Sequence, residues 1–595
     1  MKLSLKSKLS IILLLIISLG TCLYFFNSHP KTQDEAVKES TNVAAAQGLI
    51  VPTLAYSESS ITLAWYKPNN YADISYYNIY KDGKLIGDTK NYSASPSASL
   101  INNFYNAADN SSAVKISQHN YTVTNLKPNT PYTFTVKAVD TGGLEKSIGL
   151  SVVQRTSNSP KIFDVTKYGA IGDGKTIDTK AIQKTIDASY AGGEVLLPSG
   201  KTFKSGAIWL KPGVIFKVDG TLLGSDNPKD YINSKHPTKK DEKDNALINC
   251  IGDKKIKDLK IIGSGTIDGN GWKQGNSEIG TNFPNSLNSS LATVEENGIL
   301  AANQFKLSKD KGLSKIKAYS TRSDLVSVSH VDNVYFGDGL SFENPSQQTI
   351  GISDCNNVVL NGALIKTFDC SNGDGIDFNS QGLTVLNSVF DTGDDDINFT
   401  AGKGADAEGK RKPVDSVWIF DNYFGRGHGA VVAGSNTAAW IENILAEDNV
   451  LDGTGAGLRC KTASYIGGGA KDIIFRDSAL KNINDGEGEP FIFTSNYTNS
   501  TESEKVQPAK SLPVFKDISV YNCSVDGSKN SAIFIDGLKN SYDENINFKD
   551  ITFKNTKPAK IEYLKNSSFK NIIFSKNIKN PWQITSSFDV SVDPK

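Results

Sequence analysis

The chain is 595 residues long, more than one hydrophobic core usually supports, so at least two folding units are expected. Its 64 lysines and arginines are balanced by 64 aspartates and glutamates, which excludes a global field that would recruit nucleic acid or an anionic membrane surface. Six cysteines, Cys22, Cys250, Cys355, Cys370, Cys460 and Cys523, are scattered without close pairs, which argues against a zinc site or a dense disulfide framework. The chain opens on the basic stretch MKLSLKSK and continues as an apolar run from Leu9 to about Phe26, the pattern of an export signal. Residues 1–30 are therefore expected to be a signal peptide or, because roughly 18 apolar residues approach the spanning minimum, a membrane tether. Leu19-Gly20-Thr21-Cys22 faintly resembles a lipoprotein box. The protein is expected outside the cell, secreted or held at its surface. Cys22 falls in the leader, and the odd number that follows leaves at least one thiol free or buried as a small hydrophobe.

A polar linker over residues 31–47 leads to alternating segments, Ile61-Thr62-Leu63-Ala64-Trp65, Tyr76-Tyr77-Asn78-Ile79-Tyr80 and Tyr132-Thr133-Phe134-Thr135-Val136. Period-two patterning, with turn signals such as Lys81-Asp82-Gly83-Lys84, predicts half-buried strands of a sandwich. Leu126-Lys127-Pro128-Asn129-Thr130-Pro131-Tyr132 resembles the tyrosine corner of fibronectin type III domains, and the resemblance covers about residues 48–156. It implies that Trp65 is the buried core tryptophan.

From about Phe163 short β-rich segments recur: Asn333-Val334-Tyr335-Phe336, Asn357-Val358-Val359-Leu360, Leu383-Thr384-Val385-Leu386, Ser416-Val417-Trp418-Ile419, and on through Asn443, Asp472, Asp517, Asn545 and Asn571. Counted between Val334, Val358, Thr384, Val417, Ile444 and Ile473, the steps are 24, 26, 33, 27 and 29 residues, which suits one coil per repeat with insertions in loops. No helical periodicity separates these segments, so a doubly wound sheet lacks its crossovers and residues 157–595 are expected to form a parallel β-helix. The first coil needs a cover for its open strand edge, and Asp178 to Asp187 has the helical spacing to supply it. The stretch Phe163 to Ala170 and Gly172-Asp173-Gly174 resembles the opening of many pectin-degrading β-helix enzymes, which points to a fold and not to a reaction.

Glycoside hydrolysis needs one carboxylic acid to protonate the leaving oxygen and a second carboxylate to activate water or attack the sugar. Asn372-Gly373-Asp374-Gly375-Ile376-Asp377 and Gly393-Asp394-Asp395-Asp396 supply a dense acidic group less than one coil apart. Crowded carboxylates repel, which raises at least one pKa and keeps a proton available. Successive side chains on a strand alternate sides, so a turn or bulge has to re-aim one aspartate if Asp394 and Asp395 both face the groove. Taken alone, such a turn also suits Ca²⁺ binding or a coil cap, and Asp377 and Asp396 read as structural. His428 sits between two glycines, and Arg459 and Lys461 share one face of a strand, suited to a uronate carboxylate.

Asn-x-Asp, Gly-Asp-Asp, Gly-His-Gly and Arg-x-Lys, in this order over residues 160–590, resemble the four signature motifs of glycoside hydrolase family 28, the polygalacturonases. The resemblance implies a right-handed parallel β-helix that hydrolyses α-1,4-galacturonan with inversion and without a cofactor. It makes Asp394 the general acid, gives Asp374 and Asp395 the water, has His428 tune the acid, and has Arg459 and Lys461 grip the sugar carboxylate, with Asn372 positioning substrate. Three positions depart from the family pattern: Gly373 stands for Thr, Asp396 for Cys and Cys460 for Ile. The fibronectin-like module and long insertions at Gly271–Tyr319 and Gly402–Pro413 resemble exo-acting bacterial members, so exo action on pectate is expected over endo action. A Ca²⁺-dependent pectate lyase and a non-catalytic glycan-binding β-helix are the rivals. Nothing in the sequence reads as a signal of oligomeric state.

Overall fold

The expected strand Ile61–Trp65 is buried on both faces, not one. Ile61, Leu63 and Trp65 enter the core of a β-sandwich, while Ala64 packs on Trp418 and Leu445 of the second unit and Thr62 bonds Asn361 there. The half-buried expectation fails at this strand because a second unit covers its outer face. This computed structural model describes residues 48–593 apart from 69–70, 91–92, 253–256, 274–292 and 499–505, so the leader and the linker lie outside the described residues. A three-stranded antiparallel sheet, Leu49–Ile50, Ile61–Trp65 and Asn120–Val123, faces a four-stranded sheet in the order Lys84–Asp88, Ile74–Lys81, Pro131–Asp140, Glu145–Arg155. Trp65 is fully buried and meets Tyr77 edge-on at 5.1 Å. The Tyr132 hydroxyl accepts from the Lys127 amide at 2.9 Å, closing the corner. A helix at Pro96–Asn106, capped by Ser95, was not expected from the sequence.

The solenoid begins at Ile162 and stacks three parallel sheets into a right-handed β-helix whose interior is one continuous hydrophobic core. The Asn or Asp that opens most of the repeated segments lies at left-handed φ, 65° at Asn333, 56° at Asn357 and Asn443, and 55° at Asp472, where short polar side chains are tolerated best. Neighbouring coils link these turns, as Asn357 Nδ2 does to Asn333 Oδ1 at 3.2 Å. One step of the repeat count is corrected by the register: Leu383, not Thr384, stands between Val358 and Val417, because the inward aliphatic side chains stack. The helix Thr179–Ala188 caps the first coils with Ile182, Thr185 and Ile186 buried. Among the described residues of the insertion Gly271–Tyr319, helices form at Thr293–Asn297, Leu300–Asp310 and Lys315–Ser320, the last ending just beyond it. All five cysteines beyond the leader are buried.

The sandwich is docked and not tethered. Its Lys67, His119 and Asn120 meet Asp421, Glu447, Asp448 and Asp477 of the turns that follow the sheet carrying Trp418, and the helix Pro96–Asn106 packs on Tyr423 and Val450. The candidate catalytic strands belong to another of the three sheets, so the sandwich buttresses the solenoid without covering the groove.

Candidate active site

Strands Asp395–Phe399, Gly429–Ser435, Leu458–Thr462 and Phe491–Thr494 stack on the first half of Ile376–Leu386, with Ile376, Ile397, Val431, Leu458 and Phe491 in one inward ladder. Residues flanking this ladder point outward. At the start of the strand this alternation is not kept: Asp395, two residues before the inward Ile397, meets Arg459 and Lys461 in the groove, while Asp396 turns into the interior and accepts from the Thr392 hydroxyl at 2.8 Å and the Thr454 hydroxyl at 3.3 Å. Asp394 lies in the bend before the strand, which supplies the re-aiming that alternation required. Asp396 thus points its carboxyl away from the groove, and burial pushes that carboxyl well above the ordinary range.

Asp374 ends the turn one coil earlier, with the Gly375 amide donating to the Asp395 carbonyl at 2.9 Å. His428 Nδ1 lies 3.0 Å from Asp394 Oδ1, and Asn372 Nδ2 donates to Asp394 Oδ2 at 3.3 Å. Arg459 Nη1 donates to Asp395 Oδ1 at 3.0 Å and Lys461 Nζ to Asp395 Oδ2 at 2.7 Å. All seven residues singled out from the motifs meet in one groove. Burial raises the Asp394 carboxyl, but His428, Lys461 and Arg459 outweigh it and hold it below the usual carboxylate range. Burial by itself would lower His428, and the Asp394 charge overcomes this and lifts it to about 9. Asp374 moves the other way, well above the ordinary value, through burial and then the charges of Asp377, Asp394 and Asp395. Asp374 is thereby biased toward its protonated form, and one proton is shared by the Asp394–His428 pair. Asp377, half-buried beside them, accepts from Asn398 at 3.0 Å and is raised to about 7, mainly by burial.

The departures from the family pattern have local causes. A Cβ at residue 373 would come within 2.8 Å of the Thr367 carbonyl oxygen and 2.9 Å of that of Cys370, so the turn admits glycine there. Gly427, at φ 144°, would place a Cβ 2.6 Å from Thr392 Oγ1, and its absence lets the chain bring His428 against Asp394. Cys460 points into the core between the two outward cations.

Sequence reasoning missed four neighbours. The Tyr497 ring lies 5.2 Å from Lys461 Nζ and 5.8 Å from the Arg459 guanidinium carbon. Glu487 takes the second Nη of Arg459, and Asp485 accepts from the Gly427 amide at 3.3 Å and adds its charge to His428. Arg322, just past the helical insertion, reaches Asn372. None of the four sits in a local motif, so the sequence carries no signal for them without the register. The place of Tyr497 beside the two cations emerges only when coils are stacked.

Oxygen and nitrogen atoms of Asp394, Asp395 and His428 lie within 4.8 Å of one another, close enough to hold a metal ion. Their donors are already engaged by His428, Arg459 and Lys461, so a divalent ion would have to displace the neighbouring cations. Of the two insertions, Gly402–Pro413 docks through the short helix Gly404–Ala407, with the Ala405 amide on the Gln507 carbonyl, and leaves Lys410, Arg411 and Lys412 exposed. The described part of Gly271–Tyr319 reaches the groove directly, since the Tyr319 hydroxyl lies 2.7 Å from Ser371 Oγ, beside Asn372. Residues 274–292 of that insertion lie outside the described residues.

Comparison with known proteins gives a match to the family described as glycosyl hydrolases family 28 over residues 193–572, and to the fibronectin type III domain over residues 44–153. An exo-poly-alpha-D-galacturonosidase of Dickeya chrysanthemi is 38% identical over 573 residues, covering 93% of this chain and 94% of that protein. A solved structure described as the family 28 exopolygalacturonase of Yersinia enterocolitica shares 39% identity at a TM-score of 0.85, over 92% of this chain and 99% of its own. An endo-polygalacturonase of Pectobacterium carotovorum subsp. carotovorum is 26% identical over 391 residues, 63% of this chain and 87% of that protein.

Proposed function

The chain belongs to glycoside hydrolase family 28, and on that footing we propose that it hydrolyses α-1,4-galacturonan from the chain end, with inversion. The observation that carries the chemistry is the junction of an acid–imidazole pair, Asp394 with His428, and a carboxylate bracketed by two cations, Asp395 with Arg459 and Lys461. The exo assignment rests on similarity that runs nearly end to end with the exo-acting relatives, sandwich included, against a shorter and weaker match to the endo-acting one.

A polygalacturonate chain carries a carboxylate on every sugar. One of these competes with Asp395 for Arg459 and Lys461, whose remaining N–H groups are free to turn toward the groove. Substrate binding thus loosens Asp395 from its cations, and Asp395, with Asp374 opposite, orients the attacking water and takes its proton. A carboxylate with a raised pKa, as Asp374 has, is a strong proton acceptor in the fraction that is ionised. Asp394 passes the proton it shares with His428 to the glycosidic oxygen, which leaves a carboxylate beside a neutral imidazole.

Two outcomes follow from these contacts. Lys461→Gln should raise KM for polygalacturonate by about tenfold or more, because a hydrogen bond between charged groups is worth about 1.5–3 kcal/mol; initial rates over a substrate series measure it. His428→Ala removes a cation and a donor from Asp394, so the acid's pKa rises. The alkaline limb of the pH–rate profile should then move to higher pH while kcat falls about 10- to 100-fold, and an unmoved limb would refute the pairing.

The assignment is tested by incubating the protein with de-esterified polygalacturonate, with and without EDTA, while following reducing ends, viscosity and absorbance at about 235 nm. Reducing ends that rise ahead of viscosity loss, without absorbance, are expected. Growth of absorbance that EDTA abolishes would overturn hydrolysis in favour of a lyase. Rapid viscosity loss would overturn exo action. The basic and apolar leader supports export, since a polymeric substrate is met outside the cell, and fractionation of expressing cells checks it.

A further inference from the structure

Arg322 follows the helix Lys315–Ser320 at the foot of the insertion and is fully buried. Among the described residues none of its hydrogen bonds goes to a carboxylate. Nε donates to the Tyr319 carbonyl at 2.8 Å, Nη1 to the Ser346 carbonyl at 2.7 Å, and Nη2 to Asn372 Oδ1 at 2.9 Å. The guanidinium stacks on the Tyr319 ring, 4.0 Å from its centroid, and that tyrosine is itself anchored on Ser371. A buried cation without a carboxylate partner is costly, so the contact it makes at the groove is the place to look for its use.

An amide has one accepting and one donating end. With Oδ1 taken by Arg322, the Asn372 Nδ2 is turned toward Asp394 Oδ2 at 3.3 Å. The other oxygen, Asp394 Oδ1, is already anchored by His428 Nδ1 and by the Asp395 amide, each at 3.0 Å. Oδ2 is therefore the less encumbered oxygen and the one suited to carry a transferable proton.

We propose that Arg322 is a positioning residue for hydrolysis: by holding Asn372 Oδ1 it aims the amide N–H at Asp394 Oδ2, where it stabilises the charge that develops as the proton leaves. The inference rests on Asp394 being the general acid. An N–H directed at that oxygen favours the product carboxylate and the transition state leading to it. Released from Arg322, the amide is free to rotate and present its carbonyl instead, which accepts from the protonated carboxyl and holds the proton back. The other charged groups facing Asp394 are His428 from the Gly-His-Gly turn, Arg459 and Lys461 from the strand Leu458–Thr462, and the carboxyls of Asp374 and Asp395. None of these is hydrogen-bonded to Arg322.

Arg322→Lys keeps a cation in the site but lacks the planar fork, and it should lower kcat about tenfold with little change in KM, because Arg459 and Lys461 still grip the substrate. The alkaline limb of its pH–rate profile should move to higher pH. Asn372→Ala should move the limb in the same direction, and the double variant should be no worse than Asn372→Ala alone, since Arg322 acts through that amide. Losses that multiply in the double variant would overturn the proposal. If Arg322→Lys does not fold, Asn372→Ala still decides, because an alkaline limb left where the unaltered protein has it sinks the idea. Asp394→Asn, measured alongside, separates the two levels: retained turnover there would fault the acid assignment, whereas lost turnover with multiplicative Arg322 and Asn372 effects would fault the relay alone.

Discussion

Asp394→Asn is expected to lower kcat on polygalacturonate by about 10³-fold, or about 4 kcal/mol of transition-state stabilisation, with KM within a few-fold of the unaltered protein. The amide keeps the shape of the carboxyl and still lies against His428 and Asn372, but it has no proton to deliver to the leaving oxygen. Binding is spared because Arg459 and Lys461 reach Asp395 and not Asp394. Steady-state kinetics on polygalacturonate, with a thermal melt to confirm the fold, measures the effect. Turnover retained within tenfold would remove Asp394 from the acid role and pass it to Asp374, the carboxyl that burial and its acidic neighbours raise.

The second large effect is on stability. Lys67→Met should destabilise the docked sandwich by about 3–5 kcal/mol, because it strands buried carboxylates without their principal counter-charge. Lys67 is buried at the seam, bonding Asp448, reaching Asp477 Oδ2 at 2.5 Å and lying 3.5 Å from Glu447. Arg476 then remains with Glu447 at 2.8 Å and Asp477 at 3.5 Å, and His119 with Asp448 at 3.4 Å, which leaves fewer cations than the three acids need. Calorimetry should show the sandwich melting before the solenoid; a single transition at the original temperature would contradict the reading. His119 gives the same seam a pH dependence. Burial by itself lowers its pKa, but Asp421, Asp448 and Glu447 lift it to about 9, above the unfolded value of about 6.5. A folded pKa above the unfolded one gives stability that is fully present below about pH 6.5 and is lost as pH rises through about 9. His119→Asn should therefore flatten the fall in melting temperature across that window.

Much of the fold is written locally. The alternation around Ile61, the left-handed turns at Asn333, Asn357 and Asn443, and the spacing of the inward aliphatic positions each follow from backbone preference and side-chain period. The helices at Pro96–Asn106 and Leu300–Asp310 did not stand out, because their apolar positions are few and their stability comes from packing on partners distant in sequence. The same division runs through the groove. The order of the motifs, through its resemblance to family 28, singled out Asp374, Asp394, Asp395, His428, Arg459 and Lys461, although each motif alone left a structural reading open. Tertiary structure decided the rest: that Asp395 faces the groove while Asp396 turns inward, that Tyr497 and Glu487 attend the two cations, and that Arg322 reaches Asn372 from 50 residues away. Coil register converts sequence distance into contact, and the lengths of the loops between coils, which follow no period, are what hide that register from the sequence.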